Sequence, residues 1–211
     1  MGRPKDADAA ATYDSIVAAA LALLAEVDNP SQVSMRKVGV RADVSLGTIQ
    51  YHFANKDALL EACLDGYYER LGALVQGIIV GANDPSTNRD TFVAESVRVM
   101  YRFVRRERAA LTLRMLTNTT QGELHPKRQS EFLGPILAAG TDALRPFANV
   151  ADLDLRLSIQ AMATMLMRFA LLSETEVANI TGLESSEARD AVEEYVVRAA
   201  CRLVGAPEPQ S

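Results

Sequence analysis

Residues 34–60 read SMRKVGVRADVSLGTIQYHFANKDALL, and their spacing decides the fold of the region. Ser34 and Ser45 can each accept a hydrogen bond from a free amide at a helix start, which predicts helices over about 35–42 and about 46–52. Asp43 falls where the first helix must stop, in a left-handed conformation that Asp tolerates. Helical spacing also predicts one shared inward face, made of Met35, Val38, Ala42, Val44, Ile49 and Phe53.

The outward face of the second helix carries hydroxyl, amide, aromatic and small groups. Amides and hydroxyls can bond base edges, a methyl can contact thymine, and hydroxyls can reach phosphate. Nearby basic residues, including an arm ahead of the first helix, can meet phosphates or the minor groove. A small helical domain with an ordinary polar surface would show the same pattern. The predicted DNA-contacting residues are Arg3, Lys5, Arg36, Ser45, Leu46, Gly47, Thr48, Gln50, Tyr51, His52 and Lys56.

The stretch resembles the helix-turn-helix motif of the TetR family of transcriptional regulators over about fifty residues. The matching positions are Ser34, Arg36, Val38, Ala42, Val44, Ser45, Gly47, Thr48, Ile49, His52, Phe53, Lys56, Leu59 and Leu60. The resemblance implies an all-α fold, with an amino-terminal three-helix DNA-binding domain and a larger helical domain for ligand binding and dimerisation. It also implies that Lys56 contacts phosphate.

Three positions depart from the family pattern. Gly39 stands where Ala is usual, Asp43 where Gly is usual, and Gln50 where Tyr is common. In the family, the tyrosine at the position of Gln50 often contacts the DNA backbone. Here the neighbouring Tyr51 can make that contact instead. Gln50 then gains the option of a bidentate bond to adenine.

Composition and charge exclude several other classes of protein. The chain has 211 residues and a net charge of −5, which argues against a protein that coats nucleic acid without sequence preference. Residues 1–60 carry six basic and seven acidic side chains, a net of −1, so DNA contact must depend on local placement. The two cysteines lie far apart, and the sequence has no CxxC and no catalytic or phosphate-binding motif. We therefore predict no metal, no cofactor and no enzymatic activity.

Apolar periodicity predicts about nine helices and no strands. The seventh, over about 127–147, is expected to kink or break at Gly134-Pro135. The eighth is expected over about 151–180, and the ninth over about 185–204, with a cap at Ser185-Ser186. We predict a DNA-binding domain over 1–56, a ligand-binding and dimerisation domain over 57–205, and a disordered tail over 206–211. No run of about 18–20 apolar residues is present, so the expected location is the cytoplasm, without a membrane.

One short reading helix makes few contacts, so a palindromic operator read by a homodimer is expected. Apolar stripes on the eighth and ninth helices supply a candidate interface, which the resemblance implies is a four-helix bundle. The predicted interface residues are Leu155, Ile159, Met162, Phe169, Val192, Tyr195, Val196 and Ala199. A face that packs only against its own chain is the alternative for some of them.

Polar residues among apolar ones in the fifth to seventh helices suggest a pocket for a small-molecule effector, with methionines as an adaptable lining. The predicted ligand-binding residues are Tyr101, Arg102, Arg114, Thr117, Asn118, His125, Met162 and Met165. The arginines between Arg98 and Arg108 are interpreted either as a salt-bridged, solvated face or as an anion site.

The resulting prediction is a sequence-specific transcriptional regulator, a repressor released from double-stranded DNA by a small molecule, with the fourth helix as the lever. The alternatives are a helical ligand carrier or scaffold whose helix-turn-helix does not bind DNA, and an enzyme that uses the body cavity. The weak basic charge of residues 1–60 favours the carrier or scaffold. The missing catalytic residues disfavour the enzyme.

Overall fold

The structure is a computed structural model that describes residues 5–27, 30–121 and 129–209. Within them the chain forms ten α-helices and no strand, which confirms the predicted all-α class. Short helical turns occupy Pro30–Gln32, Gln129–Leu133 and Arg145–Phe147. The α-helices are α1 Lys5–Glu26, α2 Met35–Ala42, α3 Leu46–His52, α4 Lys56–Ala82, α5 Phe92–Arg106, α6 Arg108–Gln121, α7 Gly134–Leu144, α8 Asp152–Leu171, α9 Glu174–Thr181 and α10 Ser185–Val204.

The described residues divide into two compact units. The first takes residues within Met1–Glu69 and Ala109–Glu123, and the second takes those within Arg70–Arg108 and Leu124–Ser211. The predicted functional division at residue 56 stays a prediction. Of the tail predicted to be disordered, Ala206 donates its N–H to the Cys201 carbonyl, and Glu208 accepts two hydrogen bonds from Arg202 at 2.7 and 2.9 Å.

The expected eighth helix is wrong as one element, because it breaks after Leu171. Ser173 accepts a hydrogen bond from the Glu176 amide at 3.1 Å, and the Glu176 carboxylate accepts one from the Ser173 amide at 2.7 Å. This capping box starts a new helix at Glu174, and the axes of α8 and α9 meet at 110°. The predicted serine cap of the last helix is also wrong, since Glu184 holds that position without a side-chain hydrogen bond.

In the second unit α10 packs against α5, α8 and α9. Two contacts show that α8 and α10 run antiparallel. The Ser158 hydroxyl donates to the Leu203 carbonyl at 2.8 Å, and the Phe169 and Tyr195 rings lie edge to face with centroids 5.9 Å apart. The buried stripes of these helices therefore form a common core.

Among the described residues α1 alone is long and apolar enough, as a single helix, to pass for a membrane span, over Asp8–Glu26. Helices α8 and α9 pass the same test only as one bent pair. The side chains of Ile16, Ala20 and Leu24 in α1 are buried within the first unit. These apolar residues of α1 therefore have a core to fill, as in a globular helix.

Candidate nucleic-acid interface

The first unit holds α2 and α3 in place through a small apolar core. Val38 and Ile49 are fully buried and Phe53 is nearly so, which confirms that these three residues lie on the inward face. The Tyr13 ring of α1 covers Phe53, with ring centroids 4.9 Å apart. Ala42 and Val44 are half-buried. These contacts orient α3 so that its opposite side is free to meet a partner.

Both predicted caps of the motif are present. Ser34 Oγ accepts from the Lys37 amide at 3.3 Å, and Ser45 Oγ accepts from the Thr48 amide at 3.0 Å. Asp43 ends α2 with φ 55° and ψ 44°, the only non-glycine residue at positive φ among those described. The turn therefore has the predicted left-handed geometry, and Asp43 accepts some strain that a glycine would avoid.

Gly39 marks the closest approach of α2 to the turn. A Cβ at this position would lie 2.9 Å from the Val44 carbonyl oxygen and 3.2 Å from Ile49 Cδ1. The backbone oxygen cannot move aside without disturbing the turn. The departure from the family's usual Ala at this position therefore follows from the local packing.

Gly39→Ala is expected to lower the free energy of unfolding by about 1 kcal/mol, because overpacking of 1–3 kcal/mol exceeds the gain of about 1 kcal/mol in helix propensity. Gly77→Ala in α4 is the matched control, since nothing lies within 4 Å of its added Cβ. It should stabilise the chain by about 0.5–1 kcal/mol. Urea unfolding of both variants checks the prediction, and a shift of the same sign in both would contradict it.

The outward side of α3 is where most of the predicted contacts lie. Ser45, Leu46, Gly47, Gln50 and Tyr51 are all exposed. Tyr51 is the most prominent, with 82% of its surface accessible. This helix face therefore carries the Gln50 amide, the Tyr51 hydroxyl and the backbone at Gly47, which no side chain covers.

Two predicted contacts are less accessible. Thr48 is half-buried, and its hydroxyl lies 2.8 Å from Ser45 Oγ in a hydrogen bond. His52 is half-buried too, with its ring edge-on to Tyr13 and Tyr51 at centroid distances of 6.1 and 5.1 Å. Both residues therefore support the geometry of the α3 face as well as bordering it.

The basic residues next to α3 in the sequence lie on α2 and at the start of α4. Arg36 and Lys37 are exposed on α2, and Lys37 Nζ donates to the Gln32 carbonyl at 3.0 Å. Lys56 Nζ donates to the Ser31 carbonyl at 3.3 Å. Arg41 is held by Glu26 through two contacts of 2.7 and 2.8 Å. The predicted Arg3 lies outside the described residues, and the side chain of Lys5 is not described.

Val40 is a candidate contact that the sequence did not single out. It is 82% exposed and lies between two open depressions of about 490 and 620 Å³. The first is also lined by Arg36, Gly39, Asp43, Val44, Ser45 and Leu46. Val40 lies two residues from both Val38 and Ala42, which are on the inward face of α2. Because a spacing of two residues points a side chain to the opposite face of a helix, this spacing could have predicted that Val40 is exposed.

The predicted ligand-binding residues fall in both units. Tyr101 and Met162 are buried in the second unit, and Met165 is half-buried there. Arg102 has a side chain that is 61% exposed and paired with Glu193, and its role in ligand binding stays a prediction. Arg114 is in the first unit, with its guanidinium 5.8 Å from the centre of the Tyr68 ring.

The remaining ligand-binding predictions are not described at side-chain level. Thr117 and Asn118 lie in α6, but their side chains are not described, and His125 lies outside the described residues. A pocket shared by the predicted set stays a prediction.

Four of the predicted dimer-interface residues fill the core of their own chain, and the interface itself stays a prediction. Leu155, Met162, Val192 and Val196 are no more than 5% exposed. Ile159, Phe169 and Ala199 are half-buried and Tyr195 is exposed, so these four remain candidates. The sequence missed the most accessible apolar residues of α8, Leu153 and Leu157, which are 68% and 60% exposed.

Two arginines of the run, Arg98 and Arg102, form ion pairs, as its salt-bridged interpretation expected. Arg102 binds Glu193 with contacts of 2.7 and 3.0 Å, and Arg98 binds Glu194 at 2.6 Å. Arg108 donates to the Leu171 carbonyl at 2.9 Å. These contacts join α5 to α10 and the start of α6 to the end of α8.

Residues 16–63 match the family model described as bacterial regulatory proteins, tetR family. An uncharacterised HTH-type transcriptional regulator in the dhlA 5′ region of Xanthobacter autotrophicus is 40% identical over 60 residues. That match covers 28% of this chain and 29% of the relative, so the chain spans less than a third of its length. The sequence similarity is thus concentrated in the helix-turn-helix region.

Two crystal structures extend the likeness to nearly the whole fold. A protein from Mesorhizobium loti assigned to the TetR family of transcriptional regulators superposes with a TM-score of 0.62 at 15% identity, covering 92% of this chain and 97% of its own. A TetR-like transcriptional regulator from Rhodococcus sp. RHA1 gives 0.56 at 17% identity, with coverages of 89% and 94%.

Proposed function

We propose that the chain is a member of the TetR family of regulatory proteins, and that it binds a palindromic operator as a cytoplasmic homodimer and represses transcription until a small molecule releases it. The proposed role is that of a transcriptional regulator and not of an enzyme. The observation that carries the proposal is the α3 face, where Gln50 and Tyr51 are exposed beside the uncovered backbone at Gly47.

The proposed contacts follow from the chemistry of that face. Gln50 suits adenine, whose N6 and N7 match a side-chain amide in the major groove. Leu46 and Val40 are exposed apolar groups that suit a thymine methyl. Tyr51, Arg36 and Lys56 suit phosphate oxygens, which position the protein without reading sequence.

The proposed dimer forms through the accessible sides of α8 and α10. The apolar residues available there are Leu153, Leu157, Tyr195 and Leu203, which are 68%, 60%, 51% and 38% exposed. Because these helices are antiparallel neighbours, two copies can form a four-helix bundle about a two-fold axis. A palindromic operator with half-sites one turn of DNA apart would require the two α3 helices of such a dimer to lie about 34–36 Å apart.

Release by an effector requires that the ligand bind one spacing of the two α3 helices more tightly than the other. Tyr101, Met162 and Met165 in the second unit are the predicted ligand-binding residues that remain best placed for an interior site. Repression fits a protein that occupies DNA when no ligand is bound.

Fluorescence anisotropy with DNA from upstream of the chain's own gene tests the function. We expect binding about 10³-fold or more tighter than to a shuffled fragment of the same composition, falling steeply with added salt, with two chains per site. Adding the protein to an in vitro transcription reaction from that promoter should lower transcript yield. Equal affinity for both fragments would contradict sequence-specific regulation.

The carrier or scaffold alternative has one observation in its favour. Besides the weak basic charge of residues 1–60, the exposed Asp43 and Asp57 place negative charge near the proposed DNA face. A chain that binds a small molecule, forms dimers and ignores both DNA fragments would favour this alternative.

A further inference from the structure

Four aromatic rings in the first unit form a series that runs from its core to the outer side of α3. In order they belong to Phe53, Tyr13, His52 and Tyr51, and they are called the aromatic series below. The accessible surface rises from 3% for Phe53 at one end to 82% for Tyr51 at the other. Of the four rings, that of Tyr13 alone comes from another helix, α1, so the series joins α1 to the proposed DNA face.

The inner end of the aromatic series is anchored in the core. Phe53 closes α3, and its N–H donates to the Ile49 carbonyl at 2.8 Å. The Tyr13 ring lies over Phe53 with centroids 4.9 Å apart and the ring planes tilted by 33°. One turn further along α1, Ile16 is fully buried. Tyr13 is therefore supported both by Phe53 and by the packing of its own helix.

The His52 ring stands between Tyr13 and Tyr51. It meets the Tyr13 ring edge to face, with centroids 6.1 Å apart and planes at 70°. Its other ring contacts within the described residues are with its neighbours in the chain, Tyr51 and Phe53. Removing the Tyr13 ring would therefore leave His52 with no described ring contact from outside α3 and the residue that closes it.

The outer ring, that of Tyr51, is turned toward His52 although the two residues are adjacent in a helix. Adjacent side chains of a helix point about 100° apart and do not face each other. The two centroids are nevertheless 5.1 Å apart, with the ring planes at 85°. Such an edge-to-face pair favours one ring orientation by about twofold to tenfold. An exposed side chain held in this way loses less conformational freedom when it binds a partner.

We propose that Tyr13 is a positioning residue for DNA binding. It holds the His52 ring, and His52 in turn holds the Tyr51 ring in the orientation in which the Tyr51 hydroxyl meets a phosphate oxygen. Tyr13 acts through these two rings and does not itself contact the DNA. The gain in DNA affinity rests on the proposed function, whereas the ordering of the Tyr51 ring does not.

The order of the ring at position 51 can be measured without DNA. The chain contains no tryptophan, so Tyr51→Trp introduces a single indole at the outer end of the aromatic series. Time-resolved fluorescence anisotropy of this indole reports its local motion. Adding Tyr13→Leu should increase the amplitude of that motion about twofold or more, whereas Tyr13→Phe, which keeps the ring, should leave it unchanged. An indole that moves equally in all three chains would overturn the proposal.

His52→Leu tests the middle of the aromatic series and leaves Tyr13 in place over Phe53. It therefore remains informative if Tyr13→Leu lowers the melting temperature. In the Tyr51→Trp chain it should free the indole as much as Tyr13→Leu does, and the two substitutions together should add little to either alone. Additive effects, or an indole that stays ordered in His52→Leu, would show that Tyr13 does not act through His52.

Operator affinity is the functional readout, with thermal melting of each variant as the control for folding. In the parent chain Tyr13→Leu should weaken operator binding about threefold to tenfold, and Tyr13→Phe by less than about twofold. In a Tyr51→Ala background Tyr13→Leu should change affinity by less than about twofold, because the ring that it positions is gone. Equal losses in both backgrounds would indicate a structural role or a direct DNA contact of Tyr13 and would contradict the proposal.

The two kinds of measurement keep this proposal apart from the proposed function. An indole freed by Tyr13→Leu in a chain that binds no DNA would leave the ordering of ring 51 intact and contradict the proposed regulator. Sequence-specific DNA binding by a chain whose indole stays ordered in Tyr13→Leu would do the reverse.

Discussion

Gln50→Ala is expected to weaken operator binding by about 1–3 kcal/mol per half-site, because a bidentate amide–adenine pair contributes about that much discrimination. A symmetric dimer loses the contact twice, so the total loss is about 2–6 kcal/mol, or roughly 30-fold to 10⁴-fold in affinity. Gln50 is exposed on α3, so its removal should leave folding unchanged. Anisotropy titrations and thermal melting measure the two quantities.

The matched control is Gln76→Ala, which removes the same amide from an exposed position on α4. It should leave operator affinity within a factor of two of the parent chain. Base preference adds a second readout, since Gln50→Ala should also lose discrimination at one symmetric pair of operator positions. Unaltered affinity together with unaltered base preference would show that Gln50 does not read the operator.

Leu155→Ala is expected to lower the free energy of unfolding by about 2.7–5 kcal/mol, the range for a leucine removed from a packed core. Leu155 is 1% exposed, and truncation would leave a cavity among α8 and its neighbours. Urea unfolding at a fixed protein concentration measures the loss, which is a large part of the roughly 5–15 kcal/mol that holds a typical domain folded.

Leu157→Ala, two residues along the same helix, is the control because its leucine is 60% exposed. At concentrations where the chain is monomeric, this variant should unfold within about 0.5 kcal/mol of the parent. Analytical ultracentrifugation should instead show a weaker dimer. A strong dimer defect in Leu155→Ala with native stability, or none in Leu157→Ala, would contradict the assignment of the two faces.

The helix-turn-helix motif was predictable from sequence because its determinants are local. Ser34 and Ser45 bond amides three residues away, and Asp43 sets its own backbone conformation. The inward residues Val38 and Ile49 follow helical period within short segments. Because these interactions are short in range and the residue preferences are strong, both helices and their turn could be predicted from the sequence.

The break between α8 and α9 escaped prediction for a different reason. Apolar residues continue in register past residue 171, with Val177 buried and Ile180 exposed, so periodicity alone extends one helix. The local signal was Ser173 followed by Glu176, a capping box that competes with helix continuation. The helix therefore breaks at this capping box, although the apolar periodicity continues past it.

The buried and accessible sides of α8 were only half predictable, because this helix has apolar residues on two sides. Leu155 and Leu157 both fit an amphipathic pattern, but only tertiary packing determines which side meets α10. The ion pairs of the arginine run were unpredictable for the same reason, because they too depend on tertiary packing. Its acidic partners Glu193 and Glu194 lie 91 and 96 residues further along the chain than Arg102 and Arg98, respectively.

The first unit contains a segment from far along the chain. Ala110, Leu111 and Leu113 of α6 are buried there, and Arg114 lies over the Tyr68 ring. On the ribosome, residues 5–69 emerge before α6 has been synthesised, so the first unit cannot complete its core until about residue 114 has been synthesised and released. A gene truncated after residue 69 would therefore encode the whole motif without the segment that finishes its fold.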